Sequence, residues 1–185
     1  MARKNGMDAV ALLKADHRKV AGLFGKFESA KGAASKRKLV EEICTELCVH
    51  TAIEEEIFYP ACKGEVEKDI LDEAYVEHDG AKALVAELIE GSPSDAFYDA
   101  KVKVLGEMIE HHVEEEEKRS EGLFSQAKAA GLPVDDLGVR MQTRKDKLTA
   151  EIKANGFPTL QTRSFSGHKM KQDHPVNWTG STAGG

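Results

Sequence analysis

Apolar residues in this chain recur at three- and four-residue steps through four long segments, and each segment carries one histidine on its apolar stripe. That period is the signature of amphipathic helices, and strand-like alternation is nearly absent. The first segment, from Met7 to Ala30, lines up Val10, Leu13, His17, Val20, Phe24 and Phe27. The second, from Ser35 to Tyr59, places Leu39, Ile43, Leu47, His50, Glu54 and Ile57 on one face, and Pro60 marks its expected end. The third, from Glu65 to Glu90, aligns Leu71, Ala74, His78, Ala81, Val85 and Leu88. Gly91-Ser-Pro-Ser then breaks the chain, and Ser94 or Asp95 is positioned to cap the next helix. The fourth segment runs past Glu116 with Val102, Leu105, Ile109, His112 and Glu116 on its stripe.

A fifth amphipathic helix is expected from Pro133, docked by Val134, Leu137, Met141, Leu148 and Ile152. Long helices joined by short breaks favour antiparallel neighbours. The expected fold is therefore all-α: an up-down-up-down four-helix bundle with an additional C-terminal helix, spanning residues 7–154. From residue 155 to 185 the composition turns to Gly, Ser, Thr, Asn and Lys, which reads as a disordered tail.

Burying four imidazoles in one core is costly unless something compensates them. Two of them carry a glutamate one turn on, His50 with Glu54 and His112 with Glu116. Residues four apart share a helix face, so each pair can offer an imidazole and a carboxylate to one point. The fourth segment also contains the register His111 with Glu115. Stepping along the helix, Val102, Leu105, Met108 and Ile109 centre on His112 and Glu116, which leaves His111 at the stripe's edge. Glu54 falls between Leu47 and Ile57 on the buried stripe, whereas Glu55 and Glu56 are expected to point elsewhere as surface charge. Imidazoles with bridging carboxylates suit iron or manganese, and can accept zinc. The closely spaced cysteine or histidine pairs of structural zinc sites are missing from the sequence.

Other features narrow the function. A net charge of −6 argues against general nucleic-acid binding. No apolar run is long enough for a transmembrane helix, and Asp8, Lys14 and Asp16 interrupt the apolar stretch that a signal peptide requires. Three cysteines, Cys44, Cys48 and Cys62, do not make a disulfide framework, so a reducing cytoplasm is the expected location. Cys44 and Cys48 read as buried small hydrophobes, and Tyr59 and Tyr75 as core aromatics.

Taken together, LLKADHRKV, HTAIEEEIFYP, AYVEHDGAK and HHVEEEE, in this order and at these separations, resemble the hemerythrin-like family of HHE cation-binding domains. The resemblance covers residues 8 to 150. It implies a four-helix bundle around a non-haem di-iron centre with an oxo or hydroxo bridge. By position it would make His17, His50, His78 and His112 terminal ligands, and Glu54 and Glu116 bridges. Oxygen-carrying members have a further histidine one turn before the position of His78, and here that place is Ala74. The resemblance then implies a second iron with an open position, which favours reaction with an oxidant, or metal exchange, over reversible oxygen carriage. The expected function is binding of iron (less so manganese or zinc) and reaction with, or sensing of, oxygen, peroxide or nitric oxide. The alternative is iron buffering or sensing without turnover. A metal-binding or sensor protein is favoured over an enzyme, for which the alternative is a peroxide- or oxygen-reactive di-iron activity. The oligomeric state stays open.

Overall fold

The computed structural model describes residues 6–165, which are helical with no strand among them. Helix α1 (Ala9–Ser29) opens on Asp8, whose carboxylate accepts the Ala11 N–H at 2.8 Å. This satisfies one of the free donors of the first turn. Gly32, at φ 85°, turns the chain into α2 (Ala33–Ile53), a conformation that disfavours any side chain.

Past Ile53 the helix does not stop at Pro60. It widens into a π-helical turn, Glu54–Phe58, and closes with the short α3 (Tyr59–Cys62). Pro60 has no N–H to give the Glu56 carbonyl, and its ring would clash with that carbonyl in a regular α-helix. A wider turn relieves both problems, with the Tyr59 N–H reaching back to the Glu54 carbonyl.

Next come α4 (Lys68–Glu90) and α5 (Tyr98–Glu117). The expected side-chain cap on α5 is not formed. Phe97 stands before it at φ 66°, while the Asp95 carboxylate is occupied by the Ser92 N–H at 2.7 Å. A short α6 (Leu123–Ala129), which the sequence pattern did not announce, leads to α7 (Val134–Asn155). Helix α7 buries Leu137, Met141, Leu148 and Ile152 against α1 and α2, with Val134 half-buried beside them. Gly138 is where its backbone meets the start of α1: a Cβ there would lie 2.3 Å from the Met7 carbonyl oxygen.

The four long histidine-bearing helices are mutual neighbours in a closed circuit, α1 on α2, α2 on α4, α4 on α5 and α5 on α1. Inside lie Leu13, Val20, Ile43, Leu47, Leu88 and Leu105. Among the described residues, no helix is long and apolar enough to cross a membrane.

Residues 156–165 differ from the expected tail. They run without regular structure over the helices, with Phe157 and Leu160 packed against the core. The rest of the expected tail, including His168, His174 and Trp178, lies outside the described residues.

Candidate metal centre

The circuit of helices brings all six sequence-selected side chains to one buried place. His17, His50, His78 and His112 are each 6% exposed or less, Glu116 is 2% exposed, and Glu54 is fully buried. His17 Nε2 lies 3.2 Å from His50 Nε2 and 3.5 Å from Glu116 Oε2. His50 Nε2 is 3.1 Å from Glu54 Oε2. Across the site, His78 Nε2 is 3.3 Å from the same Glu54 oxygen and 3.2 Å from His112 Nε2. His112 Nε2 is 3.6 Å from Glu116 Oε2.

Two groups of donors able to hold a cation result: His17, His50, Glu54 and Glu116, and Glu54, His78 and His112. Glu54 belongs to both. Glu54 Oε1 and Glu116 Oε2 are buried with no hydrogen-bond partner, the condition a bound cation relieves. The donor set of neutral nitrogens and carboxylates therefore fits a pair of divalent cations.

The charged groups of the centre shift one another's protonation. Burial alone would keep His50 neutral, but Glu54 and Asp16 outweigh it and push its pKa up to about 10. Burial pulls His17 down to about 4, and the neighbouring His50 adds to this. Glu54 is held well below the usual carboxylate range: His50 and His78 overcome its burial. Burial and repulsion from Glu54 push Glu116 up to about 8. One carboxylate stays charged and the other takes a proton, as expected for two acids sharing one site.

An outer ring of carboxylates faces the other nitrogen of each imidazole. His17 Nδ1 donates to Glu117 at 2.8 Å, His78 Nδ1 to Glu55 at 3.1 Å and His112 Nδ1 to Glu77 at 2.7 Å. His50 Nδ1 stands 3.6 Å from Asp16, a longer contact. Such partners fix the tautomer and leave the Nε2 lone pair facing inward. A basic side chain backs each one: Lys14 for Glu117, Lys145 for Asp16, Lys82 and Arg163 for Glu55, and His111 for Glu77. The ring follows the helix circuit, because each helix aims a carboxylate at the histidine of the next.

The ring was not foreseen, although a signal for it exists. Asp16, Glu55, Glu77 and Glu117 each sit directly beside a sequence-selected residue. Glu55 is a correction, since it is 7% exposed and points inward rather than to solvent. The π-helical turn advances each residue by a smaller angle than an α-helix, which swings Glu55 toward His78. Glu56 does face solvent, where it pairs with Arg144.

Tyr59 is a core aromatic, as its sequence position suggests, and it also touches the centre. Its ring is fully buried, and its hydroxyl donates to Glu116 Oε1 at 3.0 Å, 3.2 Å from His78 Nε2 and 3.4 Å from Glu54 Oε2. Tyr75 is half-buried with its ring edge-on to Tyr59. His111 is mostly exposed, while His112 is inside. Ala74 is buried and lines a small cleft with Glu73, Glu77, Glu115, His112 and Glu116. The three cysteines are buried and unbridged, and burial pushes each thiol up to about 12, which keeps them inert.

Comparisons with known proteins bear on the family and the fold. A family model, the hemerythrin HHE cation binding domain, matches residues 8–121. A solved structure of a hemerythrin HHE cation binding domain-containing protein from Mycobacterium kansasii superposes with a TM-score of 0.66. It is 22% identical, with 82% of this chain and 95% of that one covered. A DNA nickase from Nostoc sp. (strain PCC 7120 / SAG 25.82 / UTEX 2576) is 26% identical over 114 residues, 62% of this chain. The match spans only 32% of that longer protein.

Proposed function

Because the chain belongs to the hemerythrin HHE cation-binding family, whose model spans residues 8–121, we propose that its buried centre holds two iron ions and reacts with or senses a small oxidant. The supporting observation is the convergence of four imidazole Nε2 atoms on two buried carboxylates, two of whose oxygens have no hydrogen-bond partner. His17, His50, Glu54 and Glu116 would hold one ion, and His78, His112 and Glu54 the other, within an antiparallel arrangement of the four long helices. Iron would supply the one-electron chemistry that oxygen, peroxide or nitric oxide requires. The protein's own part is positional. Glu54 would be shared between the ions, the outer carboxylates would orient the imidazoles, and the Tyr59 hydroxyl would hold Glu116 by a hydrogen bond.

The group around His78 and His112 has fewer protein donors than its neighbour, and the cleft beside Ala74 reaches His112 and Glu116. Both features favour an open coordination position for a small molecule over a closed structural site. The same cleft favours the second reading, iron buffering or sensing, because Glu73, Glu77 and Glu115 would attract a cation to its mouth. The nicking of DNA is not carried over from the Nostoc relative, since a net charge of −6 disfavours a DNA backbone. Buried, unbridged cysteines are compatible with a reducing cytoplasm.

Iron analysis with an optical spectrum, in air and after reduction, tests the reading. Two irons per chain with near-ultraviolet charge-transfer absorption are expected, and His50→Ala should lose iron while keeping its helicity. A wild-type protein that binds no stoichiometric metal would sink the proposal. Peroxide consumption no faster than that of free iron would favour the buffering reading.

A further inference from the structure

The segment 156–165 lies beyond the region matched by the family model, yet it is tied to the metal centre from outside. Asp79, the residue after His78, is buried at 1% exposure. Its Oδ2 accepts three hydrogen bonds from this segment: the Arg163 N–H at 2.7 Å, the Ser164 N–H at 2.6 Å and the Ser164 hydroxyl at 2.7 Å. Lys82, also buried, donates to the Gln161 carbonyl at 3.3 Å. Phe157 and Leu160 pack against the core upstream. A segment anchored at so many points is built to stay in place.

Its position matters because two routes lead from Arg163 to His78. On the first, Arg163 Nε donates to Glu55 Oε2 at 3.0 Å, and the other oxygen of Glu55 receives His78 Nδ1. On the second, the guanidinium lies over the Tyr75 ring at 5.6 Å, Tyr75 meets Tyr59 edge-on at 5.2 Å, and the Tyr59 hydroxyl is 3.2 Å from His78 Nε2. Both nitrogens of one imidazole thus answer to the same arginine. The other three outer carboxylates are backed from within the helices.

We infer that residues 156–165 form a strap that orients His78, with Arg163 the positioning residue acting through Glu55, so that the strap sets how firmly one of the two cations is held. The inference rests on the two-cation reading above. The strap acts on the His78–His112 group and leaves the His17–His50 group alone. Arg163 itself is more than half exposed, so its removal should not compromise folding.

The test uses the full chain loaded with two equivalents of Co2+, with release to a chelator followed in the visible cobalt spectrum. Arg163→Ala weakens the first route, and Ser164→Pro removes both Ser164 donors to Asp79. In each, one equivalent should leave up to about tenfold faster, the lower end of what disturbing the carboxylate partner of a ligating histidine does. The other equivalent should keep the wild-type rate, and only one of the two cobalt signatures should move. Arg163→Lys, which keeps the charge, should restore most of the wild-type rate. Release of both equivalents at the wild-type rate in Arg163→Ala and Ser164→Pro overturns the strap, as does equal acceleration of both. A wild-type protein that takes up no cobalt overturns the metal reading and the strap with it.

Discussion

Removing the Tyr59 hydroxyl isolates one hydrogen bond at the heart of the centre. Tyr59→Phe keeps the ring, so its contacts with Tyr75 and His78 persist and no sizeable cavity opens. What is lost is the 3.0 Å donation to Glu116 Oε1, and Glu116 Oε2 has no hydrogen bond to take over. The effect depends on pH, because burial and Glu54 raise Glu116 to about 8. At pH 6 the carboxyl is neutral in the metal-free protein, and losing a neutral hydrogen bond costs about 1 kcal/mol. At pH 9 it is ionised, and a bond to a charged group contributes about 2 kcal/mol.

A carboxyl raised on folding holds its proton more tightly in the native state, so native stability falls as pH rises from the unfolded value toward the folded one. The Tyr59 hydroxyl opposes that fall, and Phe removes the opposition. Urea unfolding of the metal-free proteins should therefore show a deficit for Tyr59→Phe that about doubles from pH 6 to pH 9. At the higher pH this amounts to a drop of about 4–8 °C in Tm for a chain of this size. A variant equal to wild type at both pH values would refute the placement of the hydroxyl. A deficit independent of pH would refute its pairing with Glu116.

Cation affinity should rise with pH, because His50 at about 10 and Glu116 at about 8 both hold protons at neutrality that a cation must displace. Cobalt titration in weak buffer should release more protons per chain near pH 7 than near pH 9. His111→Ala should leave the metal content unchanged, whereas His112→Ala should lose one of two ions; metal analysis of the purified variants decides between these registers. Gly138→Ala should destabilise the fold by about 2 kcal/mol, since its Cβ would collide with the Met7 carbonyl and push α7 off α1; denaturant melts would show this as a lowered midpoint.

Much of the centre was legible from spacing alone. His17, His50, His78 and His112 lie on apolar stripes, Glu54 and Glu116 follow one turn later, and all six are buried together. The preference for His112 over His111 also came from periodicity, and their exposures agree with it. Glu55 was misread because it lies in the π-helical turn, where the angle per residue changes and a regular projection assigns the wrong face. The packing beyond residue 155 was not legible for another reason. Residues 156–165 carry no helical or strand period, and their order comes from hydrogen bonds to Asp79 and Lys82, far away in sequence.

The sequence by itself determined the helices and their buried faces, because a hydrophobic period is a local property that each segment carries in its own residues. It placed the candidate imidazole and carboxylate donors for the same reason, since a histidine and a glutamate one turn apart share a face wherever the helix goes. Only the tertiary structure decided which carboxylate serves which imidazole. Asp16, Glu55, Glu77 and Glu117 each act on a histidine of a different helix, and a charge run reads alike whether it faces water or a neighbour. The partner across the interface sets the role of each carboxylate, and that partner exists only once the helices have packed.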